Sequence, residues 1–164
     1  MKTWVAAIAA VVVQPLVLFA RFVPALLSSS EPMYGVGLFL VAVCVVAAAV
    51  VLVLGVPAFL LLRRLQRESW ISLALTGVVL GALPIALSWP RHLDGYSAGS
   101  NWHGKYVQTY VNGTPTNYAW LSFAENVAFF GLHGLVGALA FYGVWQRLNR
   151  TERRPQPASP SHGA

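Results

Sequence analysis

Charged residues along this chain fall in clumps, and the intervals between the clumps are long and apolar. No charge occurs in residues 3–20, 32–62, 69–90 or 126–146. A helix needs about 20 apolar residues, at roughly 1.5 Å each, to cross a hydrocarbon core of about 30 Å. All four intervals meet that length. Inside lipid no water satisfies backbone groups, so such intervals must be helical. The alternation of membrane-barrel strands is missing from them. The pattern predicts an all-α integral membrane fold, a four-transmembrane-helix bundle with spans at about 3–20, 34–62, 69–89 and 121–146. The second interval exceeds the need, so its helix is expected to tilt, to kink near Gly55 and Pro57, or to begin before the membrane. Pro15 and Pro84 predict bends in two other spans.

Composition agrees. The 164 residues are 57% hydrophobic and 10% charged, against about 25% charge in an ordinary globular domain. Mean hydropathy is +0.61. Too few charges remain to coat a soluble surface, and disorder of the whole chain is excluded because it requires low hydrophobicity. One cysteine, Cys44, excludes an intrachain disulfide, a cysteine-based zinc site and a two-thiol relay. The first apolar stretch, Trp4 to Ala20, is longer than a signal-peptide core. Leu18-Phe19-Ala20 would put leucine at the −3 position of a cleavage site, so the reading is a retained anchor.

Four crossings place both ends of the chain on one side. That side holds Lys2, Arg63, Arg64, Arg67, Arg147, Arg150, Arg153 and Arg154; the other holds Arg21, Arg91 and Lys105. The positive-inside rule then makes both termini cytoplasmic, and the expected location is a bacterial inner membrane. Trp4, Trp70 and Trp145 fall at inner span ends, and Trp89 and Trp120 at outer ends, as an interfacial belt predicts. The net charge of +6 is absorbed by this cytoplasmic collar against the lipid bilayer, each cation contributing about 1 kcal/mol. No nucleic-acid partner is implied. Residues 1–150 read as one membrane domain. Residues 151–164, rich in Pro, Ser and Arg, read as a disordered cytoplasmic tail.

The outer connection, residues 90–120, is longer than structureless loops usually are. Asn112-Gly113 suits a type I′ turn. Tyr106, Gln108 and Tyr110 alternate with Val107, Thr109 and Val111 before it, and Thr114 to Trp120 would return. A short β-hairpin is predicted, with Pro115 confining the return strand to an edge or bulge. Trp102, His103, Tyr106, Tyr110, Tyr118 and Trp120 form a candidate partner-binding loop, since aromatic side chains dominate interfaces. The plainer alternative makes them anchors facing lipid headgroups.

Other constellations are weaker. Gly95-Tyr96-Ser97-Ala98-Gly99 matches a hydrolase nucleophile motif, but neither the preceding strand nor the following helix is there. His92, Asp94 and His103 are three ligand types without ligand spacing, and no cofactor or metal is expected. Glu125, Asn126 and His133 form a candidate polar membrane site, because an ionisable group at depth is functional by default and histidine changes charge near neutral pH. The structural alternative has His133 hydrogen-bonded to Gln14 or Thr76. Gly77 and Gly81, with Gly134 and Ala138, carry the small-residue spacing of close helix packing, within the bundle or in a homo-oligomer.

The chain therefore reads as a non-catalytic inner-membrane protein that binds or shields another membrane or periplasmic protein through residues 90–120, of accessory-subunit or immunity type. The competing expectation is a small oligomeric transporter or proton-linked channel using Glu125 and His133.

Overall fold

The structure, a computed structural model, describes residues 1–28 and 36–152, with side chains described within 1–19 and 37–150. The expected tail, residues 151–164, lies almost wholly outside the described residues. The fold is mostly helical. In order come α1 (Lys2–Ser28), α2 (Val36–Val50), a π-helical turn (Val51–Gly55), α3 (Val56–Arg64), α4 (Trp70–Ala86), strands β1 (Ala98–Trp102), β2 (Lys105–Val111) and β3 (Thr114–Pro115), and α5 (Asn117–Glu152).

Among the described residues three helices are long and apolar enough to cross a membrane: Lys2–Phe19 within α1, Gly37–Arg64 across α2 and α3, and Asn117–Arg150 within α5. The third expected span, 69–89, is shorter. It forms the 17-residue α4, which rises about 26 Å. Ser69 starts it by accepting the Ser72 N–H at 3.1 Å, an ordinary N-cap. The first helix runs past residue 20 to Ser28, and the last starts at Asn117 rather than 121.

The expected bend in the second span is a π turn. Pro57 offers no N–H and its ring crowds the carbonyl one turn earlier. The helix widens there, and the Val56 N–H reaches Val51 O, one residue beyond α-helical spacing. α3 ends with Gln66 at φ 56°, while the Arg67 N–H caps Leu62 O at 2.9 Å, a Schellman-type stop. The link to α4 is therefore tight.

Side-chain pairs fix the helix directions. Lys2 Nζ donates to Asn149 Oδ1 at 3.2 Å, and Gln14 Nε2 to the His133 carbonyl at 3.3 Å, so α1 runs antiparallel to α5. Gly77 meets Gly134 and Ala138, while Gly81 meets Phe130 and Gly134, so α4 is antiparallel to α5 as well. The packed core lies toward the Lys2 end: Ala6, Ala7 and Ala10 of α1, Val56 and Phe59 of α3, Leu73 of α4 and Phe141 of α5. Phe59, 1% exposed, meets Phe141 at 4.8 Å and Trp145 at 5.4 Å between ring centroids. Elsewhere large apolar side chains such as Leu16, Leu38, Val45, Leu75 and Leu132 point outward. So extensive an apolar surface fits a lipid solvent and not water.

The small-residue prediction resolves within the chain. A Cβ on Gly77, Gly81 or Gly134 would strike backbone of the facing helix, so these glycines bring α4 and α5 into direct backbone contact. Gly137 instead leaves room for the side-chain amide of Gln14 from α1.

Candidate functional site at the outer sheet

The connection between α4 and α5 holds a three-stranded antiparallel meander, ordered β1-β2-β3, where the sequence pattern predicts one hairpin. Its second turn is the expected Asn112-Gly113, at φ 46° and 83°. Its first is His103-Gly104, at φ 49° and 81°. Two positive φ angles in a two-residue loop define type I′, whose twist matches that of the strands. The return strand is two residues, Thr114–Pro115, and not a run to Trp120. Pro115 sits at the edge as expected. Tyr118 and Trp120 consequently belong to the first turn of α5 and not to the sheet.

Three residues to which the sequence pattern assigns no bracing role hold the sheet in place. Thr116, just ahead of α5, donates from Oγ1 to Gln108 O at 2.7 Å, tying helix start to β2. Ser97 Oγ accepts the Asn112 N–H at 3.0 Å, which binds the hydroxyl of the hydrolase-like motif to a turn. Gly99 is required because Tyr106 lies directly over it. Leu93 donates its N–H to Gly113 O at 2.9 Å, and Gly113 donates to Tyr96 O at 2.7 Å, lashing the incoming chain to the second turn.

The sheet is clasped to α5 through Glu125. Trp102 Nε1 donates to Glu125 Oε2 at 3.2 Å, and His103 Nε2 lies 3.3 Å from the same oxygen. The Trp102 ring stands edge-to-face with His103 at 4.6 Å and Tyr118 at 5.5 Å. Because α5 begins at Asn117, Glu125 lies two turns from its start and beside the sheet. His133 is eight residues further, about 12 Å along the axis at 1.5 Å per residue. The carboxylate thus joins the loop candidates Trp102, His103 and Tyr118, not the membrane histidine.

His133 is buried, 8% exposed. Its Nδ1 lies 3.4 Å from Phe129 O, and its ring meets Phe129 at 4.5 Å and Phe130 at 6.1 Å. Gln14 reaches the His133 carbonyl, as above, and Thr76 Oγ1 donates to Ser72 O of its own helix at 2.8 Å. Asn126 lines a cleft of about 310 Å³ with Ser88, Trp89, Tyr110 and Phe123, where the C-terminal end of α4 meets α5 and β2.

The remaining candidates separate. His92 pairs with Asp94 at 2.9 Å on the surface, away from the His103–Glu125 pair, so the three ligand types do not converge. Tyr110 packs on Tyr96 at 5.3 Å and Trp120 on Phe123 at 6.0 Å. Tyr106 is 77% exposed and borders a groove of about 470 Å³ with Val107, Gln108, Thr116, Asn117 and Tyr118. What the fold and site define is a protein of apolar, membrane-compatible helices bearing a braced aromatic sheet at one end. No protein-family model, curated protein or solved structure matches the chain.

Proposed function

We propose that the chain is a four-helix inner-membrane protein, both termini cytoplasmic, that docks a partner protein on its outer sheet without catalysing a reaction. In this reading α4 completes the fourth crossing, with Trp70 and Trp89 at its two interfaces. Lys2, Arg63, Arg64, Arg67, Arg147 and Arg150 gather at the end opposite the sheet, which carries Arg91 and Lys105. That asymmetry supports the assigned orientation.

The observation that carries the docking reading is the Glu125 clasp. A lone meander is marginal in water. This one is braced by Trp102, His103 and Thr116 against α5, yet it leaves Tyr106 and the groove beside it exposed. A rigid aromatic surface loses little entropy on binding. The transporter alternative would need Glu125 and His133 to exchange a proton across about 12 Å, with the carboxylate already engaged by Trp102 and His103.

The test is co-purification in mild detergent of the intact chain and of a variant lacking residues 91–118. A partner retained only by the intact chain is expected. Equal retention by both forms would overturn the assignment to the outer sheet.

A further inference from the structure

Strand β1 is the open edge of the outer sheet: β2 covers one of its sides, and among the described residues no backbone group bonds to the other. The register decides which groups face outward. A two-residue turn makes Trp102 and Lys105 a pair that exchanges both hydrogen bonds, and bonded pairs alternate along an antiparallel ladder. Ser100 therefore bonds inward to Val107. Gly99 and Asn101, opposite Gln108 and Tyr106, direct their N–H and C=O groups away from the sheet.

Edge strands are ordinarily blunted by charge, proline, a bulge or a covering element. The one bulge here lies at the Ala98 end of the strand. Residues 98–102 contain neither charge nor proline, and Gly99, Ser100 and Asn101 are exposed. Main-chain donors and acceptors at strand spacing are complementary to another main chain. The short side chains leave room for one, with Tyr106 beside it to contact alternate side chains.

We infer that β1 receives an extended, acidic segment of a partner protein as a fourth strand. The acidity follows from charge. Asp94 and Glu125 are each engaged by a histidine, whereas Lys105 is exposed with no carboxylate within 4.0 Å among the described residues. A second copy of β1 would bring no acidic residue to this edge, so the occupant is a different protein. The inference rests on the docking reading and adds its mode.

The experiment places a photo-crosslinking phenylalanine analogue at Tyr106 in cells and compares Asn101→Pro with Asn101→Ala. Proline at 101 removes an outward N–H and no bond to β2. A heterologous crosslink is expected that falls roughly tenfold or more in Asn101→Pro, the scale of one lost and one blocked main-chain bond, and persists in Asn101→Ala. Lys105→Glu should weaken it severalfold; an unchanged yield there would overturn the acidic assignment. Undiminished crosslinking by Asn101→Pro would overturn strand addition while leaving docking intact. No crosslink from Tyr106 would overturn docking itself, and a product of twice the chain's mass would replace the partner with a second copy. Because Asn101→Pro could impair folding, amide exchange in the crosslinked complex is measured too. The Gly99 and Asn101 amides should slow at least about tenfold relative to the purified chain, and unchanged exchange would overturn strand addition regardless of the variant.

Discussion

Replacing Gly134 with alanine tests whether the contact between α4 and α5 holds the helices together. The added methyl would run into the Gly77 carbonyl oxygen, with the Gly77 carbonyl carbon at 2.8 Å and the Gly81 Cα at 3.1 Å. All three are backbone atoms, so no rotamer change relieves the overlap and the helices must separate. Overpacking of this kind costs about 3 kcal/mol, the upper end of its usual range. Alanine is the better helix former by about 1 kcal/mol, which offsets part. The net loss of about 2 kcal/mol lowers the melting temperature by about 4–8 °C for a chain of this size. Thermal unfolding in a mild detergent reads it, with Gly143→Ala as control. A Cβ at Gly143 meets nothing within 4 Å, so that variant should melt no lower than the parent. Gly77→Ala combined with Gly134→Ala should cost less than the two separately, since both push apart the same pair of helices. A Gly134→Ala protein melting at or above the parent would refute the reasoning.

Other outcomes follow from the same contacts. Trp102→Phe keeps the ring but loses the indole donor to Glu125, so amide exchange in β1 and β2 should quicken by about fivefold, for about 1 kcal/mol at a partly exposed acceptor; unchanged exchange would sink the clasp. A reporter active only outside the cytoplasm should work when inserted at Ser100 and stay silent when fused after Ala164; activity at the latter site would break the four-crossing orientation. His133→Asn should fold and keep partner binding, and His133→Leu should lose no more than about 1–2 kcal/mol. A stable His133→Asn protein that had lost function would restore the transporter reading.

Residues with a single physical meaning were legible in the sequence. Pro57 removes a donor wherever it stands in a helix, so the bend beside it was foreseeable, though its form as a π turn was not. Gly77, Gly81, Gly134 and Ala138 announce a close helix contact, but small-residue spacing does not name its partner, and in the fold they meet one another. Asn112-Gly113 announced its turn. β1 was hidden because Ala-Gly-Ser-Asn-Trp has little strand propensity and is held by its register with β2 and by a His-Gly turn that sequence rules rank below Asn-Gly. The start of α5 was masked for a related reason. Residues 114–120 carry enough strand-forming and aromatic character to pass for a return strand, whereas Thr116, following Pro115, spends its hydroxyl on β2 at the mouth of a helix.

That shift of a few residues at the start of α5 changes what Glu125 means. Counted from a helix beginning at 121, it is a carboxylate at the membrane edge whose natural associate is the next polar group inward, His133. Counted from Asn117, it lies on the α5 face that carries Tyr118 about two turns earlier, and both residues meet Trp102 of the sheet. The polar membrane site and the aromatic loop, which the sequence presents as rival explanations, therefore share a residue. Loss of function in Glu125→Gln would not distinguish them, because it removes charge from the sheet clasp and from any relay alike. The discriminating positions lie where the two arrangements do not overlap: His133 on the membrane side, and Tyr106 and Asn101 on the face of the sheet that Glu125 does not touch.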